Sequence, residues 1–488
     1  MKEPILIQGG MGAAVSNWRL ARAVSTEGQL GVVSGTALDC VLARRLQAGD
    51  PGGHMRRALE HFPLPDVVAE IMARYYVPGG KGQAEPFKPV SMFKLAPDEG
   101  LLKLTVAANF VEVYLAKEGH DGVVGINYLE KIQMPTLPSL YGAMLAGVDY
   151  VLMGAGIPRA IPGILDRLSA HEPVSMKIYV EGATAEDDYE MHFDPRRINP
   201  RPEGLLKRPR FVAIVSSSVL AATLAKKSTG RVDGFVVENA TAGGHNAPPR
   251  GALKLDENGE PVYGPRDEVD LGEVIKLGLP FWLAGSYADP HMLREAIEQG
   301  ARGIQVGTVF AYCRESGLDD SVKRQVIEKA VAGRAAVFTD PLASPTGFPF
   351  KVVELEGSLS EKELYDSRPR VCDLGYLRSA YKREDGTLGF RCPGEPVDAY
   401  VRKGGNSEDT IGRKCLCNGL MANIGFPQMQ KAGYEEKTLI TSGNDLPRIA
   451  CFVKDGGDMS YSAADVINYL LGAVPALTSK TGVGNPVA

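Results

Sequence analysis

Short apolar runs rich in β-branched residues recur along the chain. Each is followed by a loop of small residues and then by a longer amphipathic stretch. The runs cover residues 5–8, 30–34, 122–127, 150–153, 211–216, 234–238, 281–284 and 303–307. Helices are predicted between many of them, among them 18–26, 217–227 and 290–299. The last opens with Asp289 as N-cap and Pro290 at the first helical position. Strands alternating with helices predict a parallel sheet. Eight strands, with the strand-end signals described below, favour a closed (β/α)8 TIM barrel over an open doubly wound sheet.

Three stretches interrupt the rhythm and read as insertions within a barrel spanning residues 1–355. Residues near 50–100 are rich in Pro, Gly and charge, with a helical piece at 66–75. Residues near 176–209 read as a hairpin followed by a polar Arg/Pro loop. Residues near 248–272 form a polar excursion around the turn Asp256-Glu257-Asn258-Gly259. The last two are placed after strands, which puts them on the face where a barrel carries its active site. Beyond 355 the rhythm stops. Residues 356–488 read as a Cys-containing C-terminal appendage with a helix near 462–471 and a flexible tail at 479–488.

A length of 488 residues suits a barrel of roughly 250 residues with insertions and an appendage. A net charge of −5 gives no support to a nucleic-acid partner. No window approaches the ~18 uninterrupted apolar residues of a membrane span, and the N-terminus does not read as a signal peptide. Seven cysteines, an odd number, do not suggest a disulfide framework, so a reducing cytoplasm is expected. The expected partner is a small-molecule substrate; a homo-oligomer stays open.

The chemistry-bearing signals stand at strand ends. Gln8-Gly9-Gly10-Met11-Gly12 follows the first strand and removes Cβ atoms where backbone must approach something flat, or simply makes a tight turn. Glu238-Asn239-Ala240-Thr241-Ala242-Gly243-Gly244-His245 follows the sixth and carries a titratable ring behind two glycines. Leu283-Ala284-Gly285-Ser286 ends the seventh, and Gln305-Val306-Gly307-Thr308 the eighth. Barrels commonly hold a phosphate between those two loops on backbone N–H groups, and Ser286 and Thr308 add hydroxyls. No GxGxxG in the right context, Walker A loop, HExxH or GxSxG is present.

In that order, QGGMG, AGGH, AGS and QVGT resemble the nitronate monooxygenases, formerly called 2-nitropropane dioxygenases. The flavin-dependent enoyl-ACP reductases and the enoyl-reductase subunit of polyunsaturated fatty-acid synthases share them. The resemblance runs from about residue 4 to residue 355. It implies an FMN-dependent oxidoreductase. The backbone at Gly9, Gly10 and Met11 would lie against the isoalloxazine ring, with Asn127 and Glu238 near it and Gly243 and Gly244 beside the ring or ribityl chain. Gly285, Ser286, Gln305, Gly307 and Thr308 would hold the phosphate, and His245 would be the catalytic histidine. Nitronate oxidation with O2 is the leading activity implied. NAD(P)H-dependent reduction of an enoyl thioester or quinone is the alternative, and a flavin-binding subunit of a larger synthase the third. The chain departs from the family at Ser286, at Val309 where an Arg is usual, and in the stiffer run Asn246-Ala247-Pro248-Pro249-Arg250-Gly251 after the histidine. These departures bear on the substrate more than on the cofactor.

Cys372, Cys392, Cys415 and Cys417 fall within 46 residues of the appendage. Four thiolates can bind zinc or an iron–sulfur cluster, but the spacing is irregular. Ordinary reduced cysteines are the expectation, and no metal site is predicted. Were Cys415 and Cys417 on a strand, they would point the same way.

Overall fold

The computed structural model describes residues 3–453 and 458–472; the tail expected at 479–488 lies outside them. Eight parallel strands form one sheet: β1 Leu6–Gln8, β2 Gly31–Ser34, β3 Val124–Leu129, β4 Tyr150–Gly154, β5 Arg210–Val215, β6 Gly234–Glu238, β7 Phe281–Ala284 and β8 Gly303–Val306. Their spatial order is β1-β8-β7-β6-β5-β4-β3-β2. A parallel bridge between Ile7 and Leu30 closes the ring, with Gln8 N–H donating to Leu30 O at 2.9 Å and Leu30 N–H to Leu6 O at 3.1 Å. The fold is the expected TIM barrel. Its strands are buried on both faces, which is why they read as continuous apolar runs instead of alternating ones.

Two layers result. Ile7, Leu30, Val32, Tyr150, Leu152, Val212, Val236, Trp282 and Ala284 point inward and fill the barrel as a separate core. Trp282 is fully buried there, and its indole N–H donates to Pro4 O at 2.9 Å. The outward-facing residues pack beneath the ring of helices. The longest of these, Glu99–Lys117, opens on Asp98, whose carboxylate accepts from Leu101 N–H. The third strand starts two residues later than the apolar run predicts and extends through Tyr128. That side chain is buried and its hydroxyl donates to Asn109 Oδ1 and Ser139 O, so packing continues the strand past the run.

The first insertion carries helices His54–Leu59 and Pro65–Tyr75. The second contains the expected hairpin, Val174–Lys177 antiparallel to Glu190–Phe193. Its assignment after a strand is corrected, because it follows the helix Ile161–Ser169. It still reaches the mouth of the barrel. Tyr179 N–H donates to Gln133 Oε1 in the β3 loop, and Val180–Glu181 pairs in parallel with Ser379–Lys382. The third insertion makes the predicted turn, where Asp256 Oδ1 accepts from Asn258 N–H and Glu260 N–H. Glu260 then accepts from Thr339 N–H, tying it to the antiparallel pair Val337–Asp340 and Phe350–Val353. Farther on, Ser379–Lys382 pairs with Leu388–Arg391, and the last helix, Ala463–Gly472, packs on Trp18–Thr26 and Pro290–Glu298. Among the described residues no helix is long and apolar enough to cross a membrane.

Trp282→Ala should cost about 3–5 kcal/mol of stability, because it empties the narrow barrel interior and removes the tie to Pro4. Denaturant unfolding measures this. A loss below about 1 kcal/mol would mean that the interior layer is not a packed core.

Candidate active site

One cavity opens at the C-terminal ends of the strands. Gly9, Gly10, Met11, Asn127, Glu238, Gly243, Gly244, His245, Gly285, Ser286, Gln305, Gly307 and Thr308 all line it, so the structure brings together every site residue predicted from sequence. Its volume is about 210 Å³.

The β1 turn is held from below. Buried Gln8 donates through Nε2 to Ser16 Oγ at 2.8 Å and accepts from Val32 N–H at 3.1 Å. Ser16 Oγ in turn donates to Gly9 O and accepts from Met11 N–H. A Cβ on Gly10 would stand 2.4 Å from the Cβ of Asn127, so only glycine lets this turn sit against β3. At the end of β7, Gly285 has φ +101 and a Cβ there would meet Asn239 Oδ1 at 2.0 Å. The next residue, Ser286, holds a left-handed φ of 54. For a non-glycine residue this conformation is strained. Its buried Oγ has no hydrogen-bond partner, and neither does the buried Oε1 of Gln305 across on β8.

Thr308 differs from the expectation. Its hydroxyl is already engaged: Gly443 N–H donates to Thr308 Oγ1 at 2.9 Å, and the hydroxyl bonds the Asp445 carboxyl. Residues 441–445, far along the appendage, thereby become part of the site. Gly244 N–H donates to Thr441 Oγ1, Asn444 N–H donates to Thr241 O, and a Cβ on Gly243 would stand 2.8 Å from Gly443 N. Thr441, Ser442, Gly443 and Asp445 line the cavity. Sequence reasoning missed them. The one available signal was a small-residue segment after buried Leu439 and Ile440, the same grammar as the barrel strand ends.

His245 sits against the second strand of the antiparallel pair, bridged to Phe350, with ring centroids 4.9 Å apart. Its Nε2 shares a 2.7 Å hydrogen bond with the Oγ of buried Ser344, which continues to Thr346 Oγ1 at 2.8 Å. Burial, then the nearby charge of Lys131, pushes the imidazole down to about 4, so it is neutral at physiological pH. Lys131 lies 3.9 Å over the Phe348 ring, and burial lowers its own ammonium. Glu238 experiences the same desolvation with the opposite result: burial pushes its carboxyl up to about 7. Asp445 is raised by burial as well.

A second cavity of about 670 Å³ adjoins the first. Leu129 and Gly154 line the barrel cavity, while their neighbours Glu130 and Gly156 line this one, together with Lys131, Tyr179, Phe348 and Arg378.

No family model matches the chain. It is 26% identical over 245 residues to the (3aS,4S,5R,7aS)-5-hydroxy-7a-methyl-1-oxo-octahydro-1H-indene-4-carboxyl-CoA dehydrogenase of Mycobacterium tuberculosis, covering 47% of this chain and 64% of that protein. It is 29% identical over 123 residues to a probable nitronate monooxygenase of Bacillus subtilis, covering 25% and 33%. The chain thus spans less than two thirds of the length of the curated relatives it matches. Among solved structures it is similar to FabK from Thermotoga maritima, with TM-score 0.46, 14% identity and coverage of 96% and 92%. The Bacillus relative carries the name probable nitronate monooxygenase.

Proposed function

We propose that the chain is an FMN-dependent oxidoreductase that binds its flavin in the cavity over the barrel mouth. The observation that carries this is the pair of unpartnered buried polar groups, Ser286 Oγ and Gln305 Oε1, at the ends of β7 and β8. Buried polar groups left unpaired cost free energy, about 1–3 kcal/mol each, which a ligand can recover. Ser286 presents a hydroxyl donor to a phosphate, and Gln305 presents an N–H donor once its amide is turned over. The close approaches at Gly10 and Gly285 seat the β1 turn against Asn127 and the end of β7 against Asn239, which draws the strand-end loops together around the cavity. Bound there, FMN would supply the redox chemistry, exchanging reducing equivalents with the substrate.

For the reaction, two features support an extended acyl- or enoyl-thioester substrate, with NAD(P)H as reductant, over a small nitronate. The adjoining cavity offers far more room than a nitroalkane fills, with Lys131 and Arg378 suited to anionic groups. A histidine held at about 4 is a poor general base toward a carbon acid at neutral pH. It is instead a neutral hydrogen-bonding group, oriented by Ser344 and able to position a carbonyl or a nitro oxygen. Nitronate oxidation remains the second reading, favoured by the Lys131 cation beside His245, which would neutralise an anionic substrate.

The purified protein should be yellow and release FMN, not FAD, on denaturation. Ser286→Ala should weaken FMN binding roughly 10- to 100-fold, the value of a hydrogen bond to a charged group. A colourless protein that takes up no added FMN removes the proposal. Rapid anaerobic bleaching of the flavin by NADH or NADPH supports the reductase, whereas bleaching by a nitronate alone supports the second reading. With either substrate, turnover should show no limb near pH 6.5 attributable to His245.

Glu238 gives a stability test. Its folded pKa of about 7 lies above its ordinary 4.5, so between those values the folded state holds a proton that the unfolded state has lost. The Glu238 contribution to the stability of the flavin-free protein should therefore fall as pH rises from about 4.5 to about 7, against the opposite contribution of His245, whose depressed pKa adds stability as pH rises from about 4 to about 6.5. Glu238→Gln should abolish the falling contribution and exceed wild type at pH 8 by up to about 3 kcal/mol, while matching it near pH 4. Thermal unfolding across pH measures it; parallel curves for the two proteins would mean that the carboxyl is not desolvated.

A further inference from the structure

The four appendage cysteines do not remain scattered. Cys372, Cys392, Cys415 and Cys417 line one small cavity with Pro345, Leu374, Leu377 and Leu416. They arrive from three directions: a loop at 371–378, the end of strand Leu388–Arg391, and the start of helix Leu416–Ala422. Cys415 and Cys417 are thus on a helix start, not the strand on which they would have pointed the same way. None of the four is in a disulfide. Each thiol lies within electrostatic reach of the other three.

Four thiols brought from three segments to the wall of one cavity make a ligand set, and coordination removes their protons outright. Charges of both signs surround the thiols, with the carboxylates of Asp373 and Glu395 lining the same cavity. Arg378 faces Cys372, Cys392 and Cys417, and Arg368 faces Cys415. The Arg368 guanidinium is buried in an ion pair with Glu436 from which solvent is excluded on both sides, and its Nη1 has no partner, while the half-buried Arg378 donates to Gly375 O and Phe93 O. Among the described residues no three His, Cys, Asp or Glu side chains are arranged to hold a single metal ion. A four-iron cube places its ligands on different irons, farther apart than around one ion, and its four thiolates leave a net negative charge for the two arginines.

We infer that Cys372, Cys392, Cys415 and Cys417 bind a four-iron, four-sulfide cluster, one thiolate to each iron. The site is beside the barrel cavity: Leu416 lines the cysteine cavity and Leu420, one turn later on the same helix, lines the barrel cavity. The inference does not depend on the flavin, since it stands on the thiols and the charges around them.

The test uses the full chain purified without oxygen and incubated with ferric iron, sulfide and a thiol reductant, the thiol supplying the electrons that bring part of the iron to the ferrous state. About four iron and four acid-labile sulfide per chain are expected, with a paramagnetic signal after dithionite reduction. Cys392→Ala and Cys417→Ala should each lower iron sharply, while Cys451→Ser, an exposed cysteine outside the cavity, should keep it. FMN content is measured on the same samples, so loss of flavin with iron retained counts against the proposed function alone. A wild-type protein that takes up no iron overturns the inference. So does one that binds a single zinc in its place, or a double variant at Cys392 and Cys417 that retains full iron. If the variants fail to fold, the wild-type iron and sulfide analysis decides.

Discussion

Ring closure is the constraint on which the site depends. Eight parallel strands can close only if the first and second meet, and the bridge between Ile7 and Leu30 does this at the level of the inner core. Closure demands backbone contacts that side chains would block. A Cβ on Gly303 would stand 1.8 Å from Ile5 O, and one on Gly31 1.9 Å from Ala21 O. Once the ring is closed, all eight strands end at the same face. Loops separated by some 300 residues in sequence then surround one cavity, with Gly10 from β1 and Gly307 from β8 as neighbours across it.

The barrel was legible in the sequence because burial on both faces writes each strand as a continuous apolar run, and because strand ends are marked by small residues. Gly10, Gly285 and Gly243 stood out as places for close approach of a ligand; what the structure brings close to them is Asn127, Asn239 and Gly443, so that no Cβ fits at any of them. What was not legible came from contacts without local grammar. Ser344 is unremarkable in sequence, yet it orients His245. Asp445 and Gly443 lie more than 130 residues beyond Thr308, and only the packed appendage brings them to it. The hairpin near 174–193 reached the mouth by pairing with Ser379–Lys382, a long-range strand contact, and not by following a barrel strand. The cysteines carried an irregular spacing because their cavity is assembled from three separate segments.

Desolvation sets the character of the barrel cavity. It pushes Glu238 and Asp445 toward their neutral acids and His245 toward its neutral base. Three titratable groups of both kinds are thus moved in the direction of zero charge by one physical cause. In such surroundings an ordered donor is worth more than in water, because little solvent competes for it. Ser286 gains most from this: its hydroxyl is buried, unpaired and aimed by a strained backbone rather than by a flexible side chain.

The appendage is therefore part of the site's construction. Its loop at 441–445 occupies the hydroxyl of Thr308 and braces the turn that carries His245, so the end of the cavity near β8 cannot form from the barrel alone. Its helix Leu416–Ala422 has one end at the cysteine cavity and the other at the barrel cavity. Asn423 at the end of that helix locks it to the 441–445 loop's root, donating to Leu439 O and accepting from Leu439 N–H. One short helix and its tie to Leu439 thus form a contiguous packed connection between the cysteine cavity and the segment that holds Thr308. Whatever occupies the cysteine cavity bears on the geometry of the cavity above the barrel, because the same seven-residue helix forms a wall of each.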